Sequence, residues 1–353
     1  MGGGAPILVQ SMTCTQTGDA QATLSQVRAL AAAGCELVRV TLPRADDAGA
    51  FAKVVSASPV PIIADIHYDW RLAVAAIAAG AAGVRINPGT MAAKHVHEIV
   101  RAAAAAGTWP VAVRIGVNAG SLPRDLRGRA QGDPAQALVE AALRWSDQFD
   151  EWEFPAYKLS VKSSSVPTTM EAYRLLAART DAPLHVGVTE AGTVWGGTIK
   201  SAVGIGALLA DGIGDTIRVS LTGDPVEEVR VAWKILAALQ LRQRGPEVIS
   251  CPTCGRTEID IVGLAEEVER RLSGDPALAA QTITVAVMGC RVNGPEEARH
   301  ADFGIAAGGG EGVLFDHGER VEALPEERLV DALLALIGSR SSSEPPESGA
   351  TGA

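Results

Sequence analysis

Residues 111–118 read Val-Ala-Val-Arg-Ile-Gly-Val-Asn, a short apolar run that ends in a polar residue. An Ala-rich stretch with helical spacing, Ala92–Ala106, precedes this run, and a second stretch of that kind, Pro134–Trp145, follows it. The run is too apolar for a strand that faces water, so we expect a parallel strand covered by helices on both faces. A buried strand between two helices is the repeating unit of an α/β fold.

The same unit recurs through the first two thirds of the chain. The other candidate strands are Ile7–Met12, Glu36–Leu42, Pro61–His67, Gly83–Pro88, Ala156–Lys162, Leu184–Glu190 and Thr216–Leu221. Eight strand–helix pairs in a row predict a closed (β/α)8 barrel of the TIM type over residues 1–242. An open, doubly wound sheet is the alternative, because periodicity does not distinguish an open sheet from a closed one.

The pattern changes near Arg242–Pro246. We predict a small α+β domain over residues 246–338, a plausible domain size, and a disordered tail over residues 339–353, which is rich in Ser, Pro, Glu and Gly. The candidate elements of the second domain are a cysteine motif, a helix at Gly263–Leu272, a strand at Thr282–Met288, a Gly-rich segment at Gly308–Gly312 and a helix at Glu326–Ile337.

Composition limits the class of partner. The chain of 353 residues carries a net charge of −10, which argues against a general nucleic-acid binder. No apolar run reaches the roughly 18 residues that cross a bilayer, and the start lacks a secretory signal pattern. We therefore expect a cytoplasmic protein without a membrane segment, and any anionic substrate must be held by cations gathered locally.

Ionisable and polar residues recur toward the ends of the candidate strands. They are Arg39, Asp65, His67, Arg85, Arg114, Asn118, Lys162, Glu190, Arg218 and Ser220. Active sites of such barrels lie at the carboxyl ends of the strands, and an unpaired charge on a buried strand is costly. Five cations from five strands at one mouth predict a phosphate-binding site. The alternative is that each Arg pairs with a neighbouring carboxylate.

Glu190 is an acid among these bases. It either orients substrate hydroxyls and delivers a proton, or forms a salt bridge to Lys162 or Arg218.

Three cysteines form a candidate metal site in the second domain. Cys251 and Cys254 lie in Ser-Cys-Pro-Thr-Cys-Gly-Arg, and Cys290 lies in Met-Gly-Cys-Arg-Val-Asn-Gly-Pro. Three thiolates suit either an iron–sulphur cluster with one atypically bound iron, or zinc with a fourth ligand such as His300. Spacing leaves both metals open. We expect the remaining two, Cys14 and Cys35, to be buried packing residues.

The cysteine motifs, together with further motifs in the barrel, resemble those of the bacterial 4-hydroxy-3-methylbut-2-en-1-yl diphosphate synthases, over a span from about Pro6 to Ile337. The barrel motifs are Pro-Ile-Leu-Val-Gln-Ser-Met-Thr at 6–13, Ala-Asp-Ile-His-Tyr-Asp at 64–69, Val-Arg-Ile-Asn-Pro-Gly at 84–89 and Val-Thr-Glu-Ala-Gly at 188–192.

The resemblance implies a [4Fe-4S] cluster held by three cysteines and a glutamate seven residues after the third cysteine. Counted from Cys290, that glutamate is Glu297, and the family usually has Gly where this chain has Glu296. The resemblance also implies that Arg39, Arg85, Arg114, Asn118, Lys162, Arg218 and Ser220 bind a diphosphate, while Glu190 contacts a substrate hydroxyl. We add Asp65 and His67 to the substrate-binding set.

The implied reaction is reductive ring opening of 2-C-methyl-D-erythritol 2,4-cyclodiphosphate in the non-mevalonate isoprenoid pathway. Flavodoxin or ferredoxin is the implied electron donor, and a head-to-tail homodimer is the implied assembly. Two alternatives stay open: a non-redox barrel enzyme for phosphorylated substrates with a structural zinc, and an electron-carrier or zinc-ribbon protein whose barrel is a scaffold.

Overall fold

The structure is a computed structural model that describes residues 2–108, 110–290 and 294–341, with only the backbone at positions 124, 295, 297 and 341. The chain divides into two units, Met1–Arg242 and Gln243–Ala353.

Eight parallel strands form the sheet of the first unit. They are β1 Leu8–Met12, β2 Leu37–Thr41, β3 Ile62–Ile66, β4 Gly83–Ile86, β5 Ala112–Asn118, β6 Tyr157–Lys162, β7 His185–Val186 and β8 Thr216–Ile217. The strand order is β6-β5-β4-β3-β2-β1-β8-β7, and a parallel bridge between Leu159 and Leu184 joins β6 to β7. The strands therefore close into a barrel: the predicted TIM-type fold is confirmed, and the open-sheet alternative is wrong.

Helices alternate with these strands. They are α1 Ala20–Ala32, α2 Ala48–Ala57, α3 Trp70–Ala78, α4 Ala93–Ala104, α5 Arg124–Arg127, α6 Pro134–Glu151, α7 Val166–Ala177, α8 Val194–Ala210 and α9 Pro225–Ala238. Side chains of Asp19, Asp69, Asp133 and Asp224 accept backbone N–H bonds at the starts of α1, α3, α6 and α9. The outward faces of the strands pack against the helices in one apolar core, in which Phe51, Phe149 and Tyr173 are the largest side chains that are fully buried.

Regular pairing in β7 and β8 ends earlier than the sequence suggests. Only two residues of each predicted strand, Leu184–Glu190 and Thr216–Leu221, form regular strand, and Leu184 adds the single bridge to Leu159. Beyond them the backbone carries loop residues of the barrel mouth, among them Glu190, whose φ of 54° is incompatible with a strand.

The second unit contains a five-stranded mixed sheet. Its elements are β9 Glu247–Ser250, α10 Ile261–Gly274, α11 Pro276–Ala279, β10 Thr284–Met288, α12 Gly294–Ala298, β11 Phe303–Gly308, β12 Glu311–Asp316, β13 Glu319–Pro325 and α13 Leu329–Ser341. The order is β13-β12-β11-β10-β9, in which β9, β10 and β11 are parallel and β11, β12 and β13 are antiparallel. The predicted Gly-rich segment contains the turn between β11 and β12, where Gly309 and Gly310 have φ of 63° and 83°.

Helix α13 extends three residues into the predicted tail. Arg340 donates to Asp316, and Ser339 Oγ donates to the carbonyl of Leu336 at 2.7 Å. These bonds stabilise the last turn, so the helix continues to Ser341. The remainder of the predicted tail, 342–353, lies outside the described residues. Within the described ranges, no helix is long and apolar enough to cross a membrane.

Candidate active site

Four ionisable residues form one row across the barrel interior. Asp65 on β3 is the register partner of Arg85 on β4, Arg85 is the partner of Arg114 on β5, and Arg114 is the partner of Lys158 on β6. Register partners on parallel strands point to the same side of a sheet. All four are buried, with exposed fractions between 2% and 6%. The barrel interior at this level is therefore charged rather than apolar.

Asp65 is shared by two guanidinium groups. Its Oδ1 accepts a hydrogen bond from Arg85 Nη1 at 3.2 Å, and its Oδ2 lies 3.6 Å from Arg39 Nε. Burial acts to raise the pKa of Asp65, but the charges of Arg39 and Arg85 outweigh burial and hold the pKa at about 2. Arg85 Nη1 also lies 2.9 Å from His67 Nε2, and Arg39 donates to Met12 Sδ. Asp65 and His67 thus contact the cations of the mouth.

Arg114 differs from Arg39 and Arg85 in its pairing. Its Nε and Nη1 are buried without a hydrogen-bond partner, and so is Nε of Arg85. No carboxylate in the described ranges pairs with Arg114. Burial, followed by the positive charges of Arg39 and Arg85, lowers the pKa of Arg114 well below its usual value. A buried guanidinium with two unsatisfied nitrogens is a group that an anion would stabilise.

Lys162 lies at the end of β6, opposite Asn118 of β5 in register. Its Nζ is 3.3 Å from Nε2 of the fully buried His185. Gly187 lies close by: a Cβ atom at this position would be 2.7 Å from Lys162 Nζ. Burial lowers the pKa of Lys162 well below its usual value, and the nearby charges of Arg114 and Arg218 lower it further.

Arg218 follows β8 and pairs with Glu228 on α9. The guanidinium Nε and Nη2 lie 3.2–3.3 Å from the carboxylate oxygens. Glu228 also accepts hydrogen bonds from Ser11 Oγ at 2.8 Å and from the N–H of Leu221 at 3.0 Å. The carboxylate is 4% exposed. It therefore fixes Arg218 and the loop that contains the half-buried Ser220.

Glu190 is exposed and adopts a left-handed backbone conformation, with φ of 54°. In the described part of the chain it forms no salt bridge, so the alternative of a pair with Lys162 or Arg218 is not found. A non-glycine residue held at positive φ is strained, and such strain often occurs at functional sites.

The charge balance at this mouth is positive. Arg39, Arg85, Arg114, Lys162 and Arg218 are accompanied by two buried carboxylates, Asp65 and Glu228. The alternative of one carboxylate for each Arg is therefore wrong for Arg114.

Three residues around these charges were not predicted from the sequence: Lys158, His185 and Glu228. Lys158 and His185 follow the same two-residue alternation along their strands as the other interior residues, so the sequence pattern could have indicated them. Glu228 lies on helix α9, so the two-residue alternation that identifies interior strand residues does not apply to it. Burial, followed by the charge of Arg114, lowers the pKa of Lys158 to about 7.

In the second unit, two of the three predicted ligands follow adjacent parallel strands. Cys251 comes directly after β9, and Cys290 comes two residues after β10. The N–H of Gly289 donates to Cys251 Sγ at 3.2 Å. Backbone donation from Arg256 lowers the pKa of the exposed Cys254. Backbone N–H groups directed at sulphur, and a stabilised thiolate, suit cysteines that bind an iron–sulphur cluster.

Among residues 2–108, 110–290 and 294–341, no group of three or more His, Cys, Asp or Glu side chains is arranged to hold a metal ion. The Glu297 side chain lies outside the described residues, and His300 is exposed. Cys35 is buried as expected. Cys14 is exposed, so that expectation is wrong: its Sγ accepts a hydrogen bond from Gln26 at 3.1 Å in the loop before α1.

Two family models match the chain. The one described as the GcpE TIM-barrel domain covers residues 1–233, and the one described as the GcpE protein C-terminal domain covers residues 247–339. The chain belongs to the GcpE family. The resemblance inferred from the sequence motifs is thereby confirmed.

Curated relatives of this GcpE chain share about half of its residues. The protein from Geobacter sulfurreducens is 55% identical over 338 residues, which are 96% of this chain and 94% of the relative. The protein from Aquifex aeolicus is 50% identical over 338 residues, 96% of this chain and 93% of the relative. The protein from Clostridium acetobutylicum is 48% identical over 337 residues, 96% and 95% respectively. All three are named 4-hydroxy-3-methylbut-2-en-1-yl diphosphate synthase (flavodoxin).

Proposed function

We propose that the chain is a reductase that opens the ring of 2-C-methyl-D-erythritol 2,4-cyclodiphosphate and forms 4-hydroxy-3-methylbut-2-enyl diphosphate in the non-mevalonate pathway. Family membership and the names of the relatives support this activity. The structural observation that carries the proposal is the buried guanidinium of Arg114, whose Nε and Nη1 have no hydrogen-bond partner in the described residues, among four further cations. A diphosphate supplies acceptor oxygens for Nε and Nη1 of Arg114, together with negative charge that balances the cations around it.

We assign diphosphate binding to one set of residues, namely Arg39, Arg85, Arg114, Asn118, Lys162, Arg218 and Ser220. Asp65 and His67 contact Arg85, so they contribute to binding by fixing the direction of its guanidinium. We assign Glu190 as the residue that contacts the substrate and acts as a general acid. Its exposed carboxylate on a strained loop is suited to contact a substrate hydroxyl and to deliver a proton.

The cofactor in this proposal is a [4Fe-4S] cluster held by Cys251, Cys254, Cys290 and Glu297. When bound, the cluster supplies the two electrons of the reaction one at a time, received from flavodoxin or ferredoxin. The names of the relatives support flavodoxin. The reaction breaks a ring carbon–oxygen bond, consumes two electrons and releases one water, so protons are required at the barrel mouth.

The assembly and the compartment belong to the same proposal. The proposed assembly is a cytoplasmic homodimer arranged head to tail. In it, the cluster domain of one chain supplies electrons to the substrate that is bound in the barrel of the other. Five free cysteines are in keeping with a reducing compartment.

The alternatives are weaker. The comparisons do not support a non-redox barrel enzyme with a structural zinc. Purification without oxygen separates the classes, because a cluster gives brown protein that dithionite bleaches, whereas a zinc protein is colourless.

Anaerobic turnover of the cyclodiphosphate with a chemical reductant tests the activity. We expect the wild type to form the linear diphosphate, and Arg114→Ala and Glu190→Gln to lose turnover by at least about 100-fold with the cluster spectrum unchanged. Arg174→Ala, which removes an exposed pair with Asp211 on the outer helices, is the matched control and should retain activity. Full turnover in Arg114→Ala, or no redox-active iron in the wild type, would contradict the proposal.

A further inference from the structure

Three buried side chains form a hydrogen-bonded chain in the barrel interior. Lys162 Nζ lies 3.3 Å from Nε2 of His185, and Nδ1 of the same ring lies 2.8 Å from Oγ1 of Thr216. His185 and Thr216 are register partners on β7 and β8, and both are 0% exposed. Neither residue has a role in the function proposed above.

The chemistry of the three groups sets the direction of these bonds. An ammonium group has three donors and no acceptor. In the charged form of Lys162, Nε2 of His185 must therefore accept, which leaves a neutral ring with its proton on Nδ1. The Nδ1–H then donates to Thr216 Oγ1. A second tautomer would place two N–H donors against each other at Nε2.

The surroundings of His185 keep the ring neutral. Burial, followed by the positive charges of Arg114 and Lys162, lowers the pKa of His185 well below its usual value. No carboxylate in the described part of the chain forms a salt bridge with the ring. The neutral ring therefore accepts a hydrogen bond whenever Lys162 carries its proton, which is the form that a bound diphosphate favours.

A lysine side chain has several rotatable bonds, and fixing it costs conformational entropy. At the end of β6 the side chain is held on two sides, by His185 and by the close approach of Gly187. A cation that is ordered before the anion arrives binds it more tightly, because less ordering remains to be done.

From these contacts we infer that His185 is a positioning residue, held in one tautomer by Thr216, that keeps the Lys162 ammonium group preorganised for the substrate diphosphate. The inference rests on the proposed function, which gives Lys162 an anion to bind.

Calorimetric binding of pyrophosphate to the full chain tests the role. His185→Leu removes the acceptor, and we expect pyrophosphate affinity to fall about tenfold, the usual effect of losing a hydrogen bond to a charged group. In His185→Gln the amide oxygen accepts in place of Nε2, so affinity should stay within about threefold of the wild type. Thr216→Val leaves the tautomer free, and we expect a loss of about threefold.

A double-mutant cycle separates positioning from a general structural role. In a Lys162→Met background, His185→Leu should cause no further loss of pyrophosphate affinity, because the group that it positions is absent. Ser146→Ala is the matched control: it removes a buried hydrogen bond to Tyr157, 2.7 Å long, at a distant place in the barrel unit, and affinity should not change. If His185→Leu does not fold, His185→Gln and Thr216→Val carry the test.

Two results would overturn the inference: additive losses in the cycle, or wild-type affinity in both His185→Leu and Thr216→Val. In either case the wild type still binds pyrophosphate and turns over the cyclodiphosphate, so the proposed function is kept and only the positioning role of His185 is rejected. A wild type that neither binds pyrophosphate nor turns over the cyclodiphosphate instead removes the proposed function, and the inference with it.

Discussion

Arg85 donates a hydrogen bond from Nη1 to Oδ1 of Asp65 at 3.2 Å, and the two residues are register partners on neighbouring strands of the barrel. The same carboxylate lies 3.6 Å from Arg39. One buried acid therefore serves two guanidinium groups, and each of them keeps part of its charge uncompensated. Asp65 stabilises the two buried arginines in the folded barrel. Because it does not neutralise them fully, they can still bind an anion.

The first prediction concerns pH and Asp65. Its pKa is about 2 in the folded chain and near 3.8 when unfolded, so the ionised form stabilises the fold above about pH 4. This stabilisation, about 2 kcal/mol, should be lost as the pH falls from about 4 toward 2. Urea unfolding of the wild type and Asp65→Asn measures it: the difference in unfolding free energy should be largest at pH 6 and shrink below pH 4.

Asp211→Asn is the control for this comparison. Asp211 pairs with Arg174 on the surface with 42% of its side chain exposed, so its removal should cost less than about 1 kcal/mol. A difference between the wild type and Asp65→Asn that stays constant from pH 6 to pH 3 would show that Asp65 is not the titrating group.

The second prediction is that Arg114→Met makes the barrel more stable and less able to bind. Replacing a buried, unpaired guanidinium with an apolar side chain of similar length should raise the unfolding free energy by about 1–2 kcal/mol without ligand. Pyrophosphate should raise the melting temperature of the wild type and leave that of the variant unchanged. Calorimetry and thermal melts measure both effects. A less stable variant that still binds would refute the idea that Arg114 lacks an internal partner.

The third prediction concerns the space beside Lys162. In Gly187→Ala the new Cβ would collide with the carbonyl oxygen of Arg218 and lie 2.7 Å from Lys162 Nζ. We expect a loss of about 1–3 kcal/mol in unfolding free energy and weaker pyrophosphate binding. Gly206→Ala on α8 meets no atom within 4 Å and should leave binding unchanged while slightly favouring the helix. Equal melting temperatures and affinities for the two variants would contradict this account.

Much of the barrel could be predicted from the sequence, because its interior residues follow one rule. Arg39, Arg85, Arg114 and Lys162 lie on parallel strands, and the two-residue period places their side chains on one side of the sheet. Glu228 could not be found in this way. It lies on α9 and reaches Arg218 across the helix–strand interface, a contact that only the packing of α9 creates.

The sheet of the second unit was harder to predict. Strand β13 has one buried residue, Leu324, among seven, because it is an edge strand that faces water. It therefore lacks the alternation of apolar and polar residues that indicates a strand. Strands β11 and β12 surround the glycines at 308–310, which read as a loop when no pairing is known.

The fourth prediction concerns the cysteines. After anaerobic reconstitution the wild type should bind about four irons per chain, and Cys251→Ala, Cys254→Ala and Cys290→Ala should each lose the cluster. Pyrophosphate affinity should persist in all three, because the cations lie in the other unit. Cys14→Ser, an exposed cysteine of the barrel, is the matched control and should keep its iron. Zinc in place of iron would support the structural-zinc alternative.

The fifth prediction distinguishes two neighbouring carboxylates. Glu296 is exposed and lies 3.4 Å from Arg299, a surface pair whose removal should have little effect. Its neighbour Glu297 stands at the spacing from Cys290 that the family resemblance assigns to the fourth ligand. We expect Glu297→Gln to lower the iron content to about three per chain and to alter the electron paramagnetic resonance spectrum, whereas Glu296→Gln should retain about four irons. The reverse result would identify Glu296 as the fourth iron ligand. Glu296 would then have to break its pair with Arg299 when it binds iron.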